Sequence, residues 1–474
     1  MPLPHISVML LLPFIILLLT TAACTALGFL VHRQAVTWTA MAGLIITAAS
    51  LIPLWDRHLS SFGGALLGDP FGIALSLVIL LGALLALLSS LDSAKRSSLS
   101  FPEYDLMLLL GVLGSVLLAM AGNLIVLLIG LEIMSLSAYV LATLQASRSS
   151  EEAGMKYFLL GAVGSAVLIY GIALVYGATG HFGLSGIAAA LGHAAASNLP
   201  VLLLGTLMLL VGFGFKVALV PFHQWTPDVY SGSPTLVTLY MSVVIKTAAF
   251  AGLIRVFQMA LSGVHGWVIP AEVIIALTLI LGNFAALREE NFKRMLAYSA
   301  VAHSGYLALA LVAKSSLAEP ALIYYLLTYT LMNAGAFAVV AVLQRDDSGV
   351  TISDLRGLYS RRPGLAVALA ALLASLSGLP PFAGFFGKFV LFSAALQSGF
   401  VGLTVIAAVT SMAALFYYLR PAALMFFSEP AQTPQLPAAP RQYSAVAVWV
   451  AVGGTLLIGV LPNLVMQLLQ RPLT

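Results

Sequence analysis

The chain has 474 residues, of which 61% are hydrophobic and only 8% are charged, and this leaves too little polar surface for a water-soluble protein. We therefore interpret it as a polytopic membrane protein. The net charge of +4 comes from basic residues spread through short loops, so it does not indicate a nucleic-acid partner. The single cysteine, Cys24, excludes a disulfide framework, a cysteine-ligated iron–sulfur cluster and a cysteine-rich zinc site.

Apolar runs long enough to cross a bilayer follow one another along the whole chain. A hydrocarbon core of about 30 Å needs roughly 20 apolar residues per helix, and this rule predicts fourteen spans. They start near residues 6, 35, 69, 104, 123, 155, 200, 234, 268, 295, 319, 364, 401 and 443. The runs are far longer than the roughly 10-residue alternating segments of a membrane β-barrel. The expected fold class is therefore an all-α integral membrane protein.

Lysine and arginine in alternate loops predict the orientation, because positive charge accumulates in cytoplasmic loops. One set of loops holds thirteen basic residues: Arg33, Lys95, Arg96, Arg148, Arg288, Lys293, Arg294, Arg345, Arg356, Arg361, Arg362, Arg420 and Arg441. The opposite set holds four: Arg57, Arg255, Lys314 and Arg471. This distribution predicts that both termini lie on the non-cytoplasmic side.

The other four basic residues fall inside predicted spans, together with one glutamate. Lys216, Lys246 and Lys388 lie well inside spans 7, 8 and 12. Lys156 lies one turn into span 6, and Glu132 lies in the middle of span 5. A charge at mid-membrane costs about 2.5–3.5 kcal/mol on insertion scales, so such residues usually face a protein interior or a hydrated path. We treat all five as candidate functional residues.

Spans 7 and 12 are interrupted in a similar way, by "GFGFKVALVP" and by "SGLPPFAGFFGK". Proline removes a backbone donor, and a broken helix at membrane depth occurs where it is buried in protein or lines a cavity. Because an offset of five spans reverses the direction of the chain, the two breaks predict inverted repeats of spans 4–8 and 9–13. Paired breaks of this kind indicate an ion path.

The repeats predict a division of the chain into four parts. Residues 1–100 hold the first three helices, 101–260 the first repeat, 261–430 the second repeat and 431–474 the last helix.

Buried lysine and glutamate together favour proton transfer. Removal from water favours the neutral amine, whereas a nearby carboxylate favours the protonated one. Movement of Glu132 relative to Lys216 would therefore switch Lys216 between holding and releasing a proton. His223, seven residues after Lys216, would share its helical face if the second half of span 7 were regular, and imidazole exchanges protons near neutral pH.

Polar residues at helical spacing in spans 10 and 11 form two stripes that would hold a water chain. They are Ser299, His303 and Tyr306 in span 10, and Tyr325, Thr328, Tyr329 and Asn333 in span 11. The competing interpretation of the stripes is packing and interhelical hydrogen bonding.

Three further competing interpretations concern single residues. His223 would bond only a neighbouring backbone group or Trp225. Lys156, one turn after Glu151 and Glu152, would be an interfacial side chain that reaches water. A bis-histidine haem would need His223 and His303 to face each other.

Several runs resemble subunit N of bacterial NADH-quinone oxidoreductase, or respiratory complex I, in the antiporter-like membrane-subunit family. They are "GNLIVLLIGLEIMSLSAYVLATLQ", "SEEAGMKYFLLGAVGSAVLIYGIALVYGATG", "GFGFKVALVPFHQWTPDVYSGSPT", "NFKRMLAYSAVAHSGY" and "LSGLPPFAGFFGKF". The wider family shares the third and last patterns, whereas "GLEIMSLSAYVL" and "AGMKYFLLGA" favour subunit N. The resemblance covers roughly residues 70 to 465.

The resemblance implies fourteen helices, two inverted five-helix repeats and a proton channel along a central hydrophilic axis. It implies that Glu132, Lys216, Lys246 and Lys388 are the glutamate and lysines of that channel, with Lys388 nearest the outer exit. No cofactor is expected in this chain, because NAD, FMN, iron–sulfur clusters and quinone would be bound by partner subunits. The other membrane-arm subunits, including antiporter-like paralogues, are the expected partners, in the inner membrane of a bacterial cell.

The predicted function is thus proton translocation from the cytoplasm to the outer side, driven by quinone reduction elsewhere in the complex. Two alternatives stay open at this point. In the first, the chain is a subunit of another transport or redox complex, either a multi-subunit cation/proton antiporter or a membrane-bound hydrogenase. In the second, it is mainly a structural assembly subunit.

Overall fold

A computed structural model describes residues 6–92, 102–192, 198–344, 349–430 and 442–470. Five residues that contribute to the predicted orientation, Lys95, Arg96, Arg345, Arg441 and Arg471, lie outside the described residues.

The described chain is almost entirely helical. The helices are α1 Val8–Gly28, α2 Arg33–Leu51, α3 Pro70–Ser90, α4 Glu103–Ala119, α5 Leu124–Ala142, α6 Arg148–Thr179, α7 Leu184–Leu191, α8 Leu199–Lys216, α9 Trp225–Gly232, α10 Thr235–Tyr240, α11 Lys246–Ile254, α12 Val268–Arg288, α13 Phe292–Val312, α14 Ala318–Leu343, α15 Leu358–Arg361, α16 Pro363–Ser377, α17 Ala383–Gln397, α18 Val401–Phe427, α19 Gln442–Val460 and α20 Pro462–Gln470. A π-helical segment, Met241–Ile245, joins α10 to α11, and a second one, Arg255–Ala260, continues α11. Together they form one continuous spanning helix over Thr235–Ala260. The all-α fold class is confirmed.

Twelve of the described helices are long and apolar enough to cross a membrane. The other two predicted spans correspond to α4, which has 17 residues, and to the α16–α17 pair, in which each helix has 15 residues. The count of fourteen spans stays a prediction.

A small β-hairpin, which the sequence did not predict, lies between α2 and α3. Strands β1 (Leu59–Ser61) and β2 (Leu66–Gly68) pair antiparallel, with Ser60 opposite Leu67. The backbone N–H of Ser7 donates to the Ser61 hydroxyl at 3.1 Å, so the hairpin anchors the start of α1.

The most deeply buried spanning helices are the continuous helix 235–260, α13 and α14. They lie at the centre of the bundle, and α1, α2, α6, α12, α18 and α19 are only partly covered by the rest of the chain. The central helices carry most of the polar candidates, because a polar side chain in a bilayer needs partners from the protein.

Asparagine caps separate the spans at two joins that have no clear break in hydrophobicity. Asn123 accepts a hydrogen bond from Val126 N at 2.7 Å at the start of α5, and Asn291 accepts one from Arg294 N at 3.0 Å at the start of α13. An asparagine side chain satisfies one of the backbone donors left open by the first helical turn. These caps divide α4 from α5 and α12 from α13.

Both predicted helix breaks are present. The first separates α8, which ends at Lys216, from α9, which begins at Trp225. The second separates α16, which ends at Ser377, from α17, which begins at Ala383.

Two ion pairs tie the helices together near their ends. Arg255 donates to both carboxylate oxygens of Asp69, at 2.8 and 2.5 Å, and to Ala119 O at 2.6 Å. Arg33 lies 3.4 Å from the buried Asp105 carboxylate. Asp69 also caps α3, since it accepts from Gly72 N at 2.8 Å. Arg33, assigned to a loop from its position in the sequence, is a buried helical residue.

We expect Asp69→Ala to destabilise the fold by about 3 kcal/mol, because it leaves a buried guanidinium without its counter-charge. The thermal unfolding of the purified protein and its abundance in membranes would measure this effect. Asp56→Ala, at an exposed aspartate of the same loop, is the control. The interpretation is wrong if the two variants unfold at the same temperature.

Candidate functional site

Lys216, the last residue of α8, is held by two hydroxyl groups of α5. Its Nζ donates to Ser135 Oγ at 2.8 Å and to Tyr139 OH at 3.2 Å. The side chain is almost completely buried, with 4% of the residue exposed. Two hydroxyl groups therefore take the place of the water molecules that would surround this ammonium group in solution, because a buried charge needs hydrogen-bond partners.

Glu132 lies on the same helix as these hydroxyls, three residues before Ser135 and seven before Tyr139. Residues at this spacing share one helical face, so the carboxylate points along the face that contacts Lys216. Its Oε1 atom is buried and has no hydrogen-bond partner among the described residues. The two side chains of the predicted pair, Glu132 and Lys216, form no salt bridge in the described structure. Ser135 and Tyr139 contact the lysine instead.

Lys246 lies directly after the π-helical segment 241–245 and faces α13. Its Nζ donates to Ala300 O at 2.5 Å and to Ser304 Oγ at 2.9 Å. The Ser304 hydroxyl donates in turn to Val217 O at 2.5 Å. Because Val217 follows Lys216 directly, Ser304 links the first helix break to Lys246.

His303 lies one residue before Ser304 and is surrounded by tyrosines. Its Nδ1 lies 2.8 Å from Tyr325 OH and its Nε2 lies 3.1 Å from Tyr418 OH. The ring of Tyr329 lies near both His303, at 5.2 Å between centroids, and the Lys246 Nζ, at 5.3 Å from its centroid. The polar stripes of spans 10 and 11 therefore meet at His303.

Lys388 lies in the first turns of α17 and binds the other half of its broken helix. Its Nζ donates to Leu376 O at 3.1 Å, to Ser377 O at 2.9 Å and to Ser411 Oγ at 2.9 Å. The two carbonyls belong to the C-terminal end of α16, where the helix dipole favours a positive charge.

Tyr306 connects Lys388 to the centre of the bundle. The Lys388 Nζ lies 4.9 Å from the centroid of the Tyr306 ring, and the same ring lies 5.8 Å from that of His303. Asn283 donates to Tyr306 OH at 3.2 Å and accepts from Tyr417 OH at 3.1 Å. Lys216, Lys246, His303 and Lys388 thus lie along one row, which is connected by hydrogen bonds, by the Val217 carbonyl and by contacts of the Tyr306 ring.

Lys156 lies outside this row, in a separate network of ion pairs. It contacts Glu152 at 2.8 Å and Asp228 at 2.9 Å, and its side chain is 41% exposed. Asp228 also accepts from Arg294 at 2.7 Å, so it ties α9 to both α6 and α13. Lys156 lies two turns after the start of α6, with an exposed side chain paired to carboxylates, and this agrees with the interfacial interpretation.

His223 does not share a helical face with Lys216, because residues 217–224 between α8 and α9 are not helical. It is half-buried, and its Nδ1 has no hydrogen-bond partner among the described residues. Trp225 does not bond it either, since the indole N–H donates to Phe215 O at 2.9 Å.

The structure of the His303 site argues against the bis-histidine haem. Both ring nitrogens of this histidine are engaged by tyrosine hydroxyls, which leaves neither of them directed at an iron atom.

The comparison with known proteins identifies the family. A family model described as NADH:quinone oxidoreductase/Mrp antiporter, TM, matches residues 121–414. NADH-quinone oxidoreductase subunit N of Deinococcus radiodurans is 51% identical over 471 residues, covering 98% of this chain and 96% of that protein. The chain belongs to the NADH-quinone oxidoreductase subunit N family. The resemblance predicted from the sequence motifs is therefore confirmed.

Another member and a solved structure agree with this assignment, and a more distant structure shares the fold. NADH-quinone oxidoreductase subunit N 2 of Roseiflexus castenholzii is 41% identical over 454 residues, covering 93% of this chain and 90% of that protein. A chain of respiratory complex I from Thermus thermophilus is 39% identical, with a TM-score of 0.84 over 96% of this chain and 98% of that one. A chain of an archaeal membrane-bound sulfane sulfur reductase shares the fold, with a TM-score of 0.86 at 23% identity over 98% of this chain and 96% of that one.

Several residues of the polar row in this family member were not predicted from the sequence. Ser135 and Tyr139 could have been predicted to share a helical face with Glu132, because they follow it at helical spacing. Ser304 and Tyr418 could not have been predicted in this way, since their contacts depend on which helices are neighbours.

We expect Ser304→Ala to reduce any proton transfer between Lys216 and Lys246 by about tenfold, because it removes a hydrogen bond to a charged group and leaves Val217 O unpaired. Proton pumping by the assembled complex in vesicles would measure the change. Thr247→Ala is the matched control, since the Thr247 hydroxyl is also buried but bonds only Val243 O of its own helix. Equal pumping by the two variants would show that Ser304 is not part of the path.

Proposed function

We propose that this chain translocates protons as a membrane-arm subunit of NADH-quinone oxidoreductase. The observation that carries the proposal is the buried polar row from Lys216 through Ser304, Lys246 and the tyrosines around His303 to Lys388. Membership of the subunit N family supports the same function. The steps occur on this chain's own side chains, and quinone reduction in other subunits drives them.

In the proposed mechanism a proton taken up from the cytoplasm binds Lys216. When the Glu132 carboxylate approaches, it stabilises the protonated form of Lys216, and when it withdraws, Lys216 releases the proton. The Ser304 hydroxyl lies between the two lysines, because it accepts from Lys246 and donates to the carbonyl of the residue after Lys216. A water molecule would carry the proton from the Lys216 amine to Ser304, which would then give its own hydroxyl proton to a neutral Lys246. Lys246, His303 and Tyr306 then lead to Lys388, from which the proton leaves on the far side.

The redox chemistry of the complex belongs to partner subunits in this proposal. NAD, FMN, iron–sulfur clusters and quinone would be bound there, and this chain would contribute no redox group. Its partners would be the other membrane-arm subunits, including antiporter-like paralogues, in the bacterial inner membrane.

We also propose the inverted repeats, over residues 101–260 and 261–430, as the framework of the path. The corresponding joins support them. Asn123 caps α5, and Leu124 N donates to Phe182 O at 2.9 Å, whereas Asn291 caps α13, and Phe292 N donates to Val350 O at 2.8 Å. Each repeat also contains one broken helix.

Lys216→Ala and Glu132→Ala are expected to abolish most proton pumping and to slow NADH-driven quinone reduction several-fold, because both remove a proton-holding group from the row. Both rates would be measured on the assembled complex in sealed vesicles. Arg57→Ala and Glu151→Gln, at exposed positions, are the controls. Unchanged pumping and quinone reduction in both row variants would contradict the proposal.

Lys216→Arg separates proton transfer from a purely structural charge. An arginine keeps the positive charge but does not release its proton in proteins. We therefore expect the complex to assemble but pumping to fall as in Lys216→Ala, with complex abundance measured alongside. Pumping at the level of the unsubstituted protein would favour the structural alternative.

The proposed orientation places both termini outside the cytoplasm. In a Cys24→Ser background, a cysteine replacing the exposed Arg57 should react with a membrane-impermeant maleimide added from outside. A cysteine replacing the exposed Arg148 should react only after the membrane is opened. The reverse pattern would invert the proposed orientation.

The alternatives predict other outcomes. A mainly structural subunit predicts that Lys388→Ala lowers the abundance of the complex and leaves turnover per complex unchanged. A subunit of an antiporter or hydrogenase predicts neighbouring genes and co-purified subunits without NADH- and quinone-binding partners.

A further inference from the structure

Lys216 is followed by a compact C-terminal cap of α8. Ala218 has a left-handed backbone, with a φ of 62°. Its N–H donates to Phe215 O at 3.2 Å, and the N–H of Leu219 donates to Gly214 O at 2.8 Å. These two bonds around a left-handed residue form a Schellman motif, in which glycine usually takes the left-handed position. Ala218 is therefore strained, because its Cβ crowds the following carbonyl oxygen at positive φ.

The second break begins with the same cap, at the end of α16. Gly378 has a φ of 91°. Its N–H donates to Ser375 O at 3.0 Å, and the N–H of Leu379 donates to Ala374 O, also at 3.0 Å. The stretch "ALVPF" at the first break corresponds residue by residue to "GLPPF" at the second. In this stretch the two breaks differ by an alanine in place of a glycine and a valine in place of a proline.

The valine brings a backbone donor that the proline lacks. Val220 is only 3% exposed, and its N–H donates to Thr278 Oγ1 at 2.9 Å. Pro380, at the corresponding position of the second break, has no N–H and needs no acceptor. Because a buried backbone donor must be paired, the first break requires a partner that the second break does without. The strained alanine adds to this dependence on outside contacts.

The acceptor comes from α12, in the second predicted repeat. Thr278 lies in the middle of α12 and is fully buried. Its hydroxyl donates to Ile274 O at 2.6 Å, which leaves an oxygen lone pair for the N–H of Val220. Thr278 therefore joins α12 to the loop that follows Lys216.

We propose that Thr278 is a positioning residue for proton transfer through Lys216. By accepting from Val220 N, it holds the loop after α8 in place, and with it the carbonyl of Val217 to which Ser304 donates. The inference rests on the proposed function, because it gives Thr278 a part in proton transfer without contact to the proton itself. It also makes the geometry of the first break depend on a helix of the other repeat.

Thr278→Val removes the acceptor and keeps the shape of the side chain. We expect proton pumping per assembled complex in sealed vesicles to fall about tenfold, because a buried donor is left unpaired and the loop shifts towards another acceptor. Thr278→Ser keeps the hydroxyl and should pump like the unsubstituted protein. Thr206→Val is the matched control, since the Thr206 hydroxyl is equally buried but bonds Leu202 O within α8 itself.

A second variant separates the hydrogen bond from a general loss of stability. Val220→Pro removes the donor and copies the second break at that position. In a Val220→Pro background, Thr278→Val should therefore cause no further loss of pumping. A loss that came only from poorer packing of α12 would be the same in both backgrounds and would overturn the inference.

Lys216→Ala is measured in parallel, with the abundance of every variant complex. Normal pumping by Lys216→Ala would overturn the proposed function and this inference with it. Normal pumping by Thr278→Val beside a deficient Lys216→Ala would overturn the role of Thr278 alone. If Thr278→Val does not assemble, the double variant decides the test: pumping equal to that of Val220→Pro supports the role of Thr278, and weaker pumping overturns it.

Discussion

The arrangement of this protein depends on the cost of placing a charge where there is no bulk water. Each buried lysine must replace its hydration with donors and acceptors from the chain, and regular transmembrane helices offer few of these. A helix that ends inside the bundle leaves its last carbonyls open. Lys388 uses two such carbonyls of α16, and Ser304 uses the carbonyl of Val217 beyond the end of α8. The second break therefore accommodates the charge of Lys388 directly, whereas the carbonyl beyond the first break is bonded by the serine that contacts Lys246.

The lysines at the two breaks obtain their hydrogen-bond partners in different ways. Lys216 belongs to the half-helix that precedes its break and takes its partners, Ser135 and Tyr139, from α5. Lys388 belongs to the half-helix that follows its break and binds the end of the preceding half. Both arrangements place the lysine at the C-terminal end of the first half-helix, where the dipole favours a positive charge, but only Lys388 bonds the open carbonyls of that end.

The charged residues and the helix breaks could be predicted from the sequence, because charged residues and prolines are conspicuous in apolar runs. The positions of Glu132, Lys216, Lys246 and Lys388, and of both breaks, follow from that contrast alone. The partners could not be predicted in the same way, because contacts such as Ser304 with Val217 O depend on which helices are neighbours. The placement of His223 on the face of Lys216 was wrong, since the break extends over residues 217–224 and a helical spacing no longer applies. The β-hairpin was missed because its strands have only three residues each.

The choice between arginine and lysine separates the two kinds of buried charge. Arg33 and Arg255 are paired with carboxylates at helix ends, where a permanently charged guanidinium holds helices together. The three lysines of the polar row have hydroxyl and carbonyl partners instead, with no carboxylate in a salt bridge to them among the described residues. A hydroxyl partner can donate to such a lysine when the lysine loses its proton, because a hydroxyl is both donor and acceptor. An arginine paired to a carboxylate has no such partner. In the proposed mechanism the bundle thus uses arginine–carboxylate pairs where it stays fixed, and lysines with hydroxyl and carbonyl partners where a proton moves.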